Sequence, residues 1–197
     1  MKWLLRIIGL IILLFIAICA VGFFLPSTQT IERSIEVEAY PEDVFPYLNN
    51  LQLYSQWSPL YAQLTEAEII YGGGDAGVGQ NMAWQNGSGA YPFGSQEIVQ
   101  SQPGEFVQVK ANLSGRDATA THALLQNDTG ESLTILTKSD IELGGFPYLE
   151  RVRSKLRSGW FNDQFDAGLM RLKTISETHT SESVSYTHLT LPTIYSV

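Results

Sequence analysis

Leu149-Glu-Arg-Val-Arg-Ser-Lys-Leu-Arg-Ser-Gly-Trp-Phe-Asn-Asp-Gln-Phe-Asp-Ala-Gly-Leu-Met-Arg-Leu172 is the stretch on which the fold turns. Leu149, Val152, Leu156 and Trp160, then Phe161, Phe165, Leu169 and Leu172, recur at steps of three and four. That spacing predicts a long helix near Tyr148–Ser176 with an apolar stripe that has to face a sheet.

The sheet lies just upstream. Segments near Glu68–Tyr71, Gln80–Asn86, Ser95–Ser101, Phe106–Leu113, Ala118–Leu125 and Ser132–Ile141 read as strands. Between them stand Gly72-Gly-Gly, Asn86-Gly, Gln102-Pro-Gly, Ser114-Gly and Asn127-Asp-Thr-Gly, all turn chemistry, so the six strands form an antiparallel meander. A further strand precedes them, Thr30–Glu38, alternating Ile31, Ile35 and Val37 with polar residues. After it, Pro41-Glu-Asp opens a short helix with proline and acids where a helix N-terminus favours them. Pro46 should kink that helix or turn it 3₁₀. Leu51, Tyr54 and Trp57, three apart, suit a second short helix ended by Pro59. The expected class is α+β: a curved antiparallel sheet of about seven strands wrapped on a long C-terminal helix, with two short helices after the first strand. A space is left between sheet and helix.

Nineteen uncharged residues, Ile7–Leu25, precede this domain. At about 1.5 Å per residue a helix of that length is roughly 28 Å long, close to a hydrocarbon core of about 30 Å. A cleaved signal would have a shorter apolar core and a small-x-small site, whereas Phe23-Phe24-Leu25 is bulky. Cys19 follows Ile18, not the small residue of a lipoprotein motif, and lies within the span, so the domain has no cysteine for a disulfide. Residues 7–25 are therefore expected to be a single membrane-spanning helix. Lys2 and Arg6 place residues 1–6 in the cytoplasm and the domain on the periplasmic or extracellular side.

Of 197 residues, twelve are basic and twenty acidic; ten of the basic and all the acidic side chains lie after residue 25. So acidic a domain lacks the basic footprint that nucleic acid requires. It is long enough for one core and too short for two.

Ile31-Glu-Arg-Ser-Ile-Glu-Val-Glu38 leading into Pro41-Glu-Asp-Val-Phe45, then Tyr54-Ser-Gln-Trp-Ser-Pro59, Gly77-Val-Gly79 before Trp84, and Phe165-Asp-Ala-Gly-Leu-Met-Arg-Leu-Lys173 resemble the SRPBCC superfamily over residues 27–177. This is the helix-grip fold of START lipid-transfer domains, polyketide cyclases and dehydratases, and the birch-pollen-allergen group. The texture is nearest to the bacterial polyketide cyclase/dehydrase-like subgroup. The resemblance implies an internal cavity for a small hydrophobic or amphipathic ligand, lipid or polyketide-like, and no cofactor. Pro46 departs from the pattern. So does Ser183–Val197, which resembles a segment found at the ends of unrelated translated sequences; residues 178–197 are expected to be a disordered, non-native tail.

On that resemblance Trp57, Trp84, Phe106, Trp160, Phe161 and Phe165 would surround the space between sheet and helix, although rings also simply fill cores. His122, the only histidine in the expected domain, shares a strand face with Ala118, Ala120 and Leu124 and is a candidate base or ligand anchor, or a structural histidine. Tyr71 offers a hydroxyl. Carboxylate pairs Glu66/Glu68, Asp140/Glu142 and Asp163/Asp166 read as solvated surface. No metal-ligand spacing, Gly-x-Ser-x-Gly elbow or phosphate loop is present, the Gly72–Gly79 run lacking a lysine. Arg151, Arg153, Lys155 and Arg157 are either a solvated face or a contact for anionic groups. The leading expectation is a membrane-anchored ligand-binding domain. The alternatives are a cyclase or dehydratase using His122 and Tyr71, and an envelope module that binds a protein partner.

Overall fold

The computed structural model describes residues 2–127, 132–146 and 148–188, with side chains through residue 180. Helix α1 (Lys2–Phe24) leads to β1 (Thr28–Val37) and α2 (Pro41–Leu48). Two single 3₁₀ turns follow, Leu53–Gln56 and Tyr61–Gln63. Then come β2 (Glu68–Gly72), β3 (Asn81–Gln85), β4 (Gly94–Gln102), β5 (Phe106–Leu113), β6 (Asp117–Gln126), β7 (Leu133–Glu142) and α3 (Leu149–His188). All seven strands pair antiparallel in the order β1-β7-β6-β5-β4-β3-β2. The chain thus builds a meander from β2 to β7 and closes it with β1 on the far edge. Each strand lies within two residues of its expected bounds. The expected turn at residues 127–130 lies mostly outside the described residues.

Three local expectations are corrected. Pro46 sits inside a continuous α-helix, because the only intrahelical partner it deprives is the carbonyl of solvent-exposed Glu42, and the helix has just eight residues. Of the Leu51/Tyr54/Trp57 triplet only Tyr54 lies in a helical element, the 3₁₀ turn Leu53–Gln56, with Leu51 and Trp57 flanking it; a further 3₁₀ turn follows Pro59. Helix α3 continues to His188, past the expected end. There its side is tied to α2, with Thr180 Oγ1 donating to Asp43 at 2.6 Å and His179 packed edge-on to Tyr47. Residues 189–197 lie outside the described residues.

Only the second half of the α3 stripe faces the sheet. Leu169 and Leu172 are buried and Phe161 and Phe165 half-buried, but Leu149, Leu156 and Trp160 are exposed. The first half presents Ser154 to the sheet instead, hydrogen-bonded to Gln29. Its start leans on α1: Gly22 lies under Tyr148, whose ring Arg151 covers, and Arg151 donates to the Leu25 and Gly144 carbonyls. Asp166, on the solvated surface as expected, pairs there with Arg33 of β1 at 3.1 Å.

Where α3 crosses the chain after the first 3₁₀ turn, the two backbones are nearly in contact. A Cβ on Gly168 would stand 2.9 Å from both the Trp57 carbonyl oxygen and Pro59 Cδ. Arg171, one turn on, donates to that same carbonyl at 3.0 Å. The two motifs that carried the family resemblance, Trp57-Ser-Pro59 and Gly168-Leu169, therefore form one joint. Gly168→Leu is expected to lower stability by about 1–3 kcal/mol or more through overpacking against rigid backbone. Chemical denaturation would show it as a lower midpoint, whereas Ala167→Leu at the exposed neighbouring position should leave the midpoint nearly unchanged.

Candidate functional site

Small side chains on the inner face of the central strands make a hollow under α3. Paired rows run Ala111–Ala118–Ile141 and Val109–Ala120–Ser139 across β5, β6 and β7, and next to them His122 faces Thr137. Ala and Ser at the middle of a sheet cannot reach a helix that the Gly168 joint and Leu172 hold at a fixed height. A cavity results. Its volume is about 90 Å³, within a wider recess of about 830 Å³ that includes open solvent. Trp160, Phe161, Gln164, Phe165 and Leu169 roof it, and Tyr54, Trp57, Pro59 and Leu60 close one end. Tyr91, Leu113 and Gln96 complete the wall, and among the described residues no Asp, Glu, Lys or Arg lines it.

The ring polar groups point away from the hollow. Trp57 Nε1 donates to the Tyr47 carbonyl and Tyr54 Oη to the Leu48 carbonyl, both at 2.9 Å. This leaves ring surface for the cavity and satisfies the buried donors. Burial raises the pKa of the Tyr54 hydroxyl, and that of Tyr91 too. His122 Nδ1 lies 3.0 Å from Thr137 Oγ1, and its ring meets Trp57 and Tyr54 edge-on, with centroids 5.3 and 6.0 Å away. Desolvation lowers its pKa from 6.5 to about 4, so it is neutral at pH 7.

Of the residues singled out by sequence, Trp57, His122, Trp160, Phe161 and Phe165 line this cavity. Trp84, Phe106 and Tyr71 do not. Trp84 is core: its ring lies against Gly94, where a Cβ would be 2.4 Å from Cζ2, and its Nε1 donates to the Tyr91 carbonyl. Phe106 falls on the opposite face of β5 from Val107 and Val109, by strand alternation. Tyr71 is exposed on edge strand β2, its hydroxyl bonded to that of Tyr61. Sequence reasoning missed Gln96, Thr137, Ser139 and Gln164. Inward-facing polar residues have no pattern of their own, although the small residues beside them did alternate legibly. Among the described residues no group of three His, Cys, Asp or Glu side chains comes together to hold a metal ion.

No curated protein sequence is similar enough to count as a relative. Solved structures do match. A norcoclaurine synthase point mutant from Thalictrum flavum, in complex with a transition state analogue, superposes with a TM-score of 0.54 at 19% identity, covering 77% of this chain and 96% of that one. A protein of unknown function from Staphylococcus aureus gives 0.53 at 15%, covering 78% and 98%. The Aha1 dimer from Colwellia psychrerythraea gives 0.50 at 14%, covering 76% and 96%. At these identities the likeness shows the fold, the helix-grip architecture. The sequence profile described as polyketide cyclase/dehydrase and lipid transport matches residues 28–177, and with that match spanning every strand and most of α3, the chain belongs to this family.

Proposed function

We propose that this protein is a membrane-anchored binding domain that holds a small hydrophobic or amphipathic molecule in the hollow between β4–β7 and α3. The observation that carries it is the hollow itself, roofed by three aromatic rings and floored by alanines where a solid core would have larger residues. Helix α1 supports the anchor, being 23 residues long with a mean hydropathy of 3.1 over its most apolar window and almost no buried side chains. With Lys2 and Arg6 before it, the domain sits outside the cytoplasm, the start of α3 against the end of the span. The anchor would thus hold the cavity near the bilayer, a source of apolar ligand.

Chemistry on the bound molecule is the less favoured reading. General acid–base work needs a group whose pKa lies near the working pH. His122 lies well below it and the wall tyrosines above it, and no carboxylate among the described residues faces the hollow. Tyr71, the other proton carrier considered, is on the outer edge of the sheet.

Mass spectrometry of detergent-extracted, full-length protein is expected to find a small hydrophobic molecule at a fixed ratio, enriched over bulk membrane lipid. In Ala120→Leu the side chain fills the hollow, so that molecule should be lost while the melting temperature holds or rises. Equal recovery from both proteins, or from neither, overturns the reading. His122 supplies a pH test. Its folded pKa, about 4, lies below the unfolded 6.5, so the unfolded chain binds the extra proton; stability is complete above pH 6.5 and declines as pH falls toward 4. The difference is on the order of 3 kcal/mol, and urea midpoints for His122→Gln should lose that part of the pH dependence.

A further inference from the structure

Among the described residues, one fully buried side-chain polar atom lacks a partner, and it belongs to a residue of the cavity wall. Gln96, on the inner face of β4, is 6% exposed, and its Oε1 is the buried side-chain polar atom among the described residues that no protein group satisfies. Such an atom is costly to bury unpaired. The other deeply buried glutamine shows the contrast. Gln80 Oε1 accepts from the Leu51 amide, and Gln80 Nε2 donates to Asn50 Oδ1 and the Asp75 carbonyl. On the floor, His122 Nδ1 and Thr137 Oγ1 are bonded to each other. Gln96, which lines the cavity, thus keeps a carboxamide oxygen without a partner; that oxygen is closed to solvent as the side chain stands, so a ligand reaches it by turning the carboxamide.

We infer that the ligand is uncharged and carries a hydroxyl that hydrogen-bonds the Gln96 carboxamide. This rests on the cavity being a binding site, and it narrows what the site takes. A carboxylate, phosphate or ammonium would enter a wall with no countercharge, and an ion desolvated without a partner is strongly disfavoured. A pure hydrocarbon would fit the rings and leave Gln96 unsatisfied. A hydroxyl donates to Oε1 and can equally accept from the amide nitrogen, so it suits either end of the carboxamide. Aromatic walls on two sides favour a flat or ring-bearing body behind that hydroxyl.

The test uses full-length protein in phosphatidylcholine nanodiscs and three probes of one shape: naphthalene, 2-naphthol and 2-naphthoate. Calorimetric titration, with empty nanodiscs as the blank for partitioning, reads the affinities. In the wild type, 2-naphthol should bind about ten-fold or more tightly than either of the others, the range that one bond to a buried unpaired group supports. In Gln96→Leu the preference for naphthol over naphthalene should shrink to about two-fold or less, with naphthalene bound at least as well as before. Retained naphthalene binding also certifies that this variant is folded. If naphthalene matches naphthol in the wild type, or if the preference survives in Gln96→Leu, the hydroxyl assignment is wrong while the cavity reading stands. Tight binding of 2-naphthoate overturns the uncharged-ligand assignment. Failure of all three probes to bind overturns the cavity reading and this inference together.

Discussion

Everything about the interior follows from the height at which α3 is held above the sheet. Gly168 lets the helix backbone touch the Trp57–Pro59 segment, Arg171 locks the same carbonyl from one turn further on, and Leu169 and Leu172 bury beside them. With the helix fixed there, what lies beneath is decided by side-chain size alone. Where β6 and β7 carry Leu124 and Ile135 the interior is solid; where they carry Ala118, Ala120 and Ser139 it is hollow. Close packing elsewhere is what keeps the hollow from collapsing, since a well-packed interior relaxes only partly around a void.

Charge is partitioned as sharply as volume. The domain is acidic in sequence, yet among the described residues no carboxylate lines its cavity, and two ion pairs, Arg33 with Asp166 and Arg116 with Glu150, tie α3 to the sheet at its rims. Exposed pairs of this kind add little stability. The hollow itself is uncharged, and burial there keeps His122 neutral.

The first half of α3 has a different task from the second. It leaves Leu149 and Leu156 in solvent and turns Arg151 toward α1, where it joins the end of α1 to the loop before the helix through the Leu25 and Gly144 carbonyls. One continuous helix therefore links the apolar N-terminal segment to the roof of the cavity. The stripe of apolar residues that runs its length is core at one end and surface at the other.

The architecture was legible from the chain because each element carries a local physical signature. Two-residue alternation with Gly, Asn and Pro at the turns marks seven strands, a run without charge marks α1, and steps of three and four mark α3. The site was legible only in part. Trp57, His122, Trp160, Phe161 and Phe165 come together at the cavity, yet Trp84 and Phe106, equally aromatic, are separated from it by a glycine contact and by strand parity. Which half of the α3 stripe is buried, that Pro46 leaves its helix intact, and that Gln96 is left without a partner are not properties of any segment. They depend on how far apart two packed backbones stand, a distance set by contacts between residues a hundred positions apart, and so only the tertiary structure decides them.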